Sequence, residues 1–400
     1  FANLSGPKAG LTIVFRDMEK LFPKELRLSG NDTWAYIWPA HKRPTKYEFF
    51  GGGQKSYMDL RQPNEVMYPD VALFKEKFPG VYNKWMVGQD SDWERYKNWP
   101  NRCNALGVAK THELLYDFHA GAFDPARAAA LGAAASDPVQ PYVTPQWYCW
   151  ETEAFGRMQP HDPQNFPRME GLFTAFMDWV YRHQNEWSHL WGIFDYGDMQ
   201  TYYDPRKANE KDYPVEALGP WGKLQGRYGW LNGEYNNDHD AFLQYFRTGR
   251  YADFKFAAAY AAHRADVDTC HFNTDPAWVG AGHRHSILHW SDWLIDQQTY
   301  NDGMVDLFYA TGDRRARDAA LTVAGFSMYA QIPFRYFQEA TGQGGTIRYA
   351  KHRGTWNKIT NIARAYEMTA DLEMRRDLEA WIRVIEANPA PWGGPSVSES

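Results

Sequence analysis

Early in the chain, polar and apolar positions alternate in short runs; later they recur every three or four residues. "GLTIVFRD" and "DTWAYIWPA" are brief runs of branched and aromatic residues, the composition of pleated strands, and "EFFGGGQK" breaks them with glycine. In "NALGVAKTHELLYDFHAG", Leu114, Tyr116 and Phe118 fall on one face, and Leu115, Asp117 and His119 on the other. That alternation predicts a sheet strand. "DPARAAALGAAASDPVQPYVTP" then joins a short Ala-rich helix to a Pro-punctuated connector. From Pro167 the pattern is helical: "PRMEGLFTAFMDWVYRHQNEW" has Pro at its first turn, with Leu172, Phe173, Phe176, Met177 and Val180 at three/four spacing. The expected organisation is a β-rich region over residues 1–125, a connector over 126–166, a helical domain over 167–388 and a flexible tail over 389–400.

The helical part carries a weak internal repeat. "NDHDAFLQYFRTGRYADFKFAAAYAAHRADVD" reads as a helix, a Thr-Gly stop and a second helix. "NDGMVDLFYATGDRRARDAALTVAGFSMYA" follows the same plan, and so does "WNKITNIARAYEMTADLEMRRDLEAWIRVI", with Thr369-Ala370 in place of Thr-Gly. The stops fall at Thr248, Thr311 and Thr369. Glycine after a helix takes the left-handed conformation that ends it, and the next Asp or Arg opens the following helix. Helix pairs joined by long, variable links suit an α/α toroid better than a solenoid or a plain bundle. The predicted fold class is therefore multidomain α+β: a β-sandwich-like N-terminal region, then an α/α toroid as an incomplete barrel of helix pairs. In such a ring the long links gather at one mouth.

Composition adds chemistry to this frame. Among 400 residues there are 18 Trp, 25 Tyr and 23 Phe, an aromatic fraction of 16%. A surplus of rings beyond core needs hints at carbohydrate, because indole offers a flat face to a sugar ring, although for any one Trp core packing is the commoner use. The net charge of −6 calls for neither nucleic acid nor an anionic membrane. No apolar run has membrane-spanning length. The start, Phe1-Ala-Asn-Leu-Ser, lacks a signal peptide and reads as a processed or partial chain. The three cysteines, Cys103, Cys149 and Cys270, are scattered, which argues against a disulfide scaffold and a thiolate zinc site.

The three links hold the candidate site. They are "GRYGWLNGEYNNDHD", "CHFNTDPAWVGAGHRHSILHWSDW" and "GTIRYAKHRGTW". Pooled at one mouth they bring together His239, His283, His285, His289 and His352 with Tyr228, Tyr235 and Tyr349. They add Asn236, Asn237, Arg227, Arg284, Arg348, Lys351, Arg353, Trp230, Trp290 and Trp356. A cationic, imidazole-lined cleft in a chain of negative net charge attracts an acidic ligand. A uronate sugar fits: Arg284 or Arg353 neutralises the carboxylate, Tyr235 or His285 acts as base or acid, and His239 and His289 share the proton transfer. That is β-elimination. Hydrolysis, which uses two placed carboxylates, stays open through Glu234, Asp238, Asp240 and Asp292.

Plainer readings stand beside these. Any one of the histidines is as easily a hydrogen-bonded loop residue, the basic positions a solvated edge, and His263 and Asp266 polar packing on a helix. The sharper rival is zinc: His283 and His285 share a side of an extended segment, and His289 or Asp292 would complete a tetrahedron. No His-Glu-x-x-His pattern or second ligand cluster supports it, so no cofactor is expected; a divalent cation is compatible with the residues but not indicated.

Several phrases carry a resemblance. "GEYNNDHDAFLQYFRTGRYADFKFAAAYAAHRADVDTCHF", "GAGHRHSILHW", "YATGDRRARDAA" and "GTWNKITNIARAYEMTAD" resemble the exo-rhamnogalacturonan lyase-like (YetA-like) polysaccharide lyase family. Upstream, "MEKLFPKELRL", "AYIWPAH" and "GVAKTHELLYDFHAG" resemble the β-rich region preceding the helical domain there, so the likeness runs from about Phe15 to Met368. The resemblance implies a β-sandwich-like region, an α/α toroid and a C-terminal β region, with this chain a shortened member. It also implies cleavage of a rhamnose- and uronate-containing polysaccharide by elimination, and the expected setting is secreted or periplasmic. A hydrolase on the same toroid and a non-catalytic carbohydrate-binding or structural protein are the alternatives.

Overall fold

The computed structural model describes residues 1–39, 107–152, 154–187, 190–199, 230–273, 275–283, 294–329 and 353–387. At the N-terminal end, β1 (Ala2–Ser5), β2 (Ala9–Phe15) and β5 (Leu114–Ala120) form an antiparallel sheet with β2 in the middle. Leu11 lies opposite Leu4 on one side and Phe118 on the other. A two-stranded ribbon, β3 (Glu25–Ser29) and β4 (Asp32–Tyr36), lies against β1. Strand β5 lies where the alternation predicts, but its polar face is the enclosed one. Asp117 accepts two hydrogen bonds from Arg127 (2.6 and 2.9 Å) on helix α1 (Pro125–Ser136), and His119 bonds Asn3 at 2.9 Å. Phe118 and Tyr116 face outward instead.

After α1, helix α2 (Pro167–Arg182) divides its apolar stripe: Met177 and Val180 are buried, while Leu172, Phe173 and Phe176 are exposed. The buried pair faces α4 (Tyr251–His263), where the Lys255 ammonium lies 5.9 Å from the centre of the Tyr181 ring.

The repeat then unfolds as three helix hairpins: α3 (Asn237–Thr248) with α4, α5 (Asp302–Thr311) with α6 (Arg314–Tyr329), and α7 (Arg353–Thr369) with α8 (Leu372–Ala387). Each first helix ends as expected, with a left-handed residue: Gly249 (φ 67°), Gly312 (φ 76°) and, against its side chain's preference, Ala370 (φ 55°). The three threonines repeat in atomic detail. Their hydroxyls accept the backbone N–H two residues on, from Arg250 at 3.1 Å and from Asp313 and Asp371 at 3.2 Å. Asp313 and Asp371 then cap the next helix by accepting its first free N–H groups.

Helix α5 packs against α3 on one side and α7 on the other, and each second helix closes behind its partner. This is the side-by-side order of an α/α toroid. Small residues on the second helices, Ala257 and Ala261 of α4 and Ala316, Ala319 and Ala320 of α6, let aromatic residues such as Phe242, Tyr245 and Phe254 fill the core between helices. The two regions meet along a seam built on one carboxylate. Asp266 accepts from the Thr111 N–H (2.8 Å) and hydroxyl (2.7 Å), and it pairs with Lys110 and with Arg315 of α6. Asp266 is thus structural.

Candidate functional site

The first helices of the hairpins begin side by side, and the polar residues at those N-terminal ends form one network. Its entry is strained. Tyr235 (φ 70°) and Asn236 (φ 58°) both sit in the left-handed region just before α3. For residues with a Cβ that costs on the order of 1–3 kcal/mol each, a cost the surroundings must hold. They do so by ion pairs and hydrogen bonds from other helices. Arg353, the first residue of α7, donates to the buried Glu234 carboxylate at 2.9 Å. Asn236 donates through its amide to Asp302 at 3.0 Å, and Asp302 also accepts from Arg364 of α7 at 2.9 Å. The result presents the Tyr235 ring to solvent, 61% exposed, with the Arg353 guanidinium 5.9 Å from its centre.

One turn into α3, His239 Nδ1 lies 2.6 Å from Asp306 Oδ2 of α5, whose side chain is buried. A carboxylate only accepts, so Nδ1 carries the hydrogen and Nε2 is left for proton exchange. Burial works against an imidazolium here, but the Asp306 carboxylate outweighs it and holds His239 above the ordinary imidazole value. The ring of Phe155, from the connector, lies 6.2 Å from His239 and is covered by Arg364 at 5.7 Å.

Under this layer, Asp238 and Arg264 form a bidentate pair (2.7 and 2.8 Å), both side chains buried. Helix α5 approaches the pair so closely that a Cβ at Gly303 would collide with the Asp238 carboxylate. Asp238 is thereby committed to Arg264, which removes it from any acid–base role.

Of the residues selected from sequence, Tyr235, Asn236, His239 and Arg353 are brought together. Asn237 opens α3, half-buried, its amide 3.9 Å from Met199 Sδ. Trp230 is buried, and Trp356 is partly buried on the first turn of α7. His283, only 1% exposed, lies in the short strand β6 (Gly282–His283) paired with β7 (Leu294–Ile295), so it packs rather than faces the rim. Arg227, Arg284, His285, His289 and Trp290 lie outside the described residues, as do Tyr228, Asp292, Arg348, Tyr349, Lys351 and His352. The expected cationic lining rests mainly on these. Within the described part, Arg353 and Arg364 are each matched by a carboxylate, Glu234 and Asp302.

Sequence reasoning passed over Asp302, Asp306, Arg364 and Phe155. A signal was available for one of them: Asp306 interrupts the apolar run of "GMVDLFYATG", and a carboxylate on a core-facing helix position needs a partner.

Residues 139–394 match the family described as PcRGLX-like protein C-terminal alpha/alpha toroid domain. The chain belongs to that family. It is the rhamnogalacturonan lyase-like, YetA-like group that the sequence phrases resemble. The uncharacterized protein YetA of Bacillus subtilis (strain 168) is 26% identical over 224 residues, covering 55% of this chain and 24% of that protein. The chain thus spans about a quarter of the length of this curated relative. The PcRGLX-like match takes in all three hairpins and Phe155, and so every residue of the rim network. Among the described residues, no helix is long and apolar enough to cross a membrane.

Proposed function

We propose that this toroid is a polysaccharide lyase acting on an acidic, uronate-containing glycan of rhamnogalacturonan type. The observation that carries the reading is the His239–Asp306 pair, standing on the same rim as the solvent-facing Tyr235 and the Arg353 guanidinium. Elimination needs three things: a cation on the uronate carboxylate, a base for the proton on the adjacent ring carbon, and an acid for the departing glycosidic oxygen. Arg353 has N–H groups beyond the nitrogen engaged by Glu234 and supplies the first. Tyr235, ionised to its phenolate beside the Arg353 guanidinium, takes the proton and becomes the phenol. The C–H electron pair becomes the new double bond, the C–O bond breaks, and the His239 imidazolium protonates the leaving oxygen. A charge held high on His239 by Asp306 suits an acid rather than a base. A secreted or periplasmic setting, where such polymers are met, accords with this substrate.

The test follows absorbance in the ultraviolet from unsaturated uronate on rhamnogalacturonan and on other uronate polymers. The expected outcome is a signal that His239→Ala lowers by about 10²–10⁴-fold. Reducing sugar without that absorbance would instead assign hydrolysis. Binding of the polymer without turnover, unchanged in His239→Ala, would assign a non-catalytic carbohydrate-binding protein.

A further inference from the structure

Beneath the strained turn lies a second polar cluster that elimination does not use. Asp198, His263 and Asp268 are each buried, at 1%, 0% and 2% exposure. One carboxylate or imidazole ligand atom from each lies within 4.8 Å of the other two. His263 Nε2 is 3.2 Å from Asp268 Oδ1 and 3.8 Å from Asp198 Oδ2. Two separate pieces of chain converge to make this arrangement. Helix α4 runs into a π-helical turn, Arg264–Asp268, whose i to i+5 periodicity stacks His263 and Asp268 on one side. Asp198 arrives on a segment pressed so tightly onto α4 that a Cβ at Gly197 would collide with the Ala259 carbonyl.

The convergence of three ligand atoms gives a cation a place to sit. Two carboxylates turned toward one imidazole in the protein interior are costly unless positive charge answers them. The adjacent guanidinium of Arg264 gives its two hydrogen bonds to Asp238 and also lies in the field of Asp268, as does the buried ammonium of Lys110, which pairs mainly with Asp266. Burial, with Asp198 next in weight, pushes the Tyr260 phenol well above its ordinary value, so that group stays neutral.

We propose that Asp198, His263 and Asp268 bind a divalent transition-metal ion, of the zinc or manganese kind that accepts one imidazole and two carboxylates. This is a different place from the His283–His285–His289 grouping considered from sequence. The ion's role is structural, because the burial of all three ligands leaves no route for a polymer. Its position explains how strain near Tyr235 is sustained. Asp198 Oδ2 also accepts the Asn232 N–H at 3.4 Å, and Asn232 is the first of four left-handed residues, with Gly233, Tyr235 and Asn236, in the turn before α3. The metal thus pins the loop's first residue as Asp302 pins its last.

The experiment measures metal rather than turnover, so it is independent of the elimination reading. The full chain is purified without chelator, analysed for metal, stripped with EDTA, and titrated with Zn²⁺ or Mn²⁺ by calorimetry and thermal unfolding. Binding of about one ion per chain is expected. A Tm rise of about 3 °C is expected at free ion a hundredfold above Kd. His263→Gln and Asp268→Asn should lose the response, and the wild-type titration decides the question even if those variants fold poorly. Wild-type protein that takes up neither ion, or a folded His263→Gln that binds as wild type does, would overturn the proposal. The cluster would then be an imidazolium clamped by two carboxylates.

Discussion

At the turn end of the hairpins, Thr248, Thr311 and Thr369 accept the same backbone bond, and a left-handed residue follows each. At the other end, the first helices open in three unlike ways. Asn236 is left-handed and tied to Asp302; Asn301 donates its backbone N–H and its side-chain amide to Asn361 (3.0 and 2.9 Å); Arg353 reaches back to Glu234. The turn end is satisfied within each hairpin. The rim end is satisfied chiefly between hairpins, by Arg353–Glu234, by Asn236 and Arg364 on Asp302 and by His239–Asp306, while the buried Asp238–Arg264 pair ties the first hairpin to itself. Chemistry repeated three times belongs to the scaffold, and chemistry that breaks the repeat marks the place where a site is built.

Four substitutions sharpen this contrast. Asp238→Asn strips the buried Arg264 of its partner and should cost about 3–5 kcal/mol in denaturant unfolding, the largest loss expected at either end. Asp306→Asn should reduce turnover in the proposed elimination on the order of 10²-fold while the fold persists. Its pH profile has a definite sign. The carboxylate raises His239, so the imidazolium and its bond are complete below about pH 6.5 and are lost as pH climbs through the raised value. Removing the carboxylate should therefore move the alkaline limb of kcat/KM to lower pH; an unmoved limb would separate Asp306 from the acid. At the turn end, Thr311→Ala should cost about 1 kcal/mol and leave kcat unchanged. Ala370→Gly should stabilise by less than about 1 kcal/mol, because glycine relieves the left-handed strain yet gives back chain entropy. Loss of activity in either turn variant would break the contrast.

The turn end was legible because its signals are local. Thr-Gly-Asp prescribes a stop, a reversal and a cap within a few residues, and the apolar spacing of α3 and α5 prescribes their faces. Tyr235, Asn236, His239 and Arg353 were also legible, through the expectation that the links of a helix-pair repeat meet. Their partners were not. Asp302 opens α5 while Asp306 and Arg364 lie inside helices, and what joins them to the rim is the register between helices, which sequence spacing alone does not encode. The same holds for Asp198 with His263. For α2 and β5 the patterns named the element correctly without telling which face would be enclosed: Leu172, Phe176 and Phe118 are apolar and outward, while Asp117 is polar and bonded inward. Packing partners from elsewhere in the chain decide that choice.

The Asp266 seam sets an order of events in time. Thr111 and Asp266 are 155 positions apart, and the N-terminal strand β2 itself pairs with β5 across a long interval. During synthesis the early strands must therefore wait, with apolar residues such as Val14 and Phe15 uncovered, until β5 and then the end of α4 have left the ribosome. Closing so large a loop costs entropy before any contact offsets it, so this docking is expected to follow the local helix hairpins, and a refolding phase read at the seam should lag the helical signal. A cell producing the protein would leave those strands uncovered longest, well before the helices of the toroid exist.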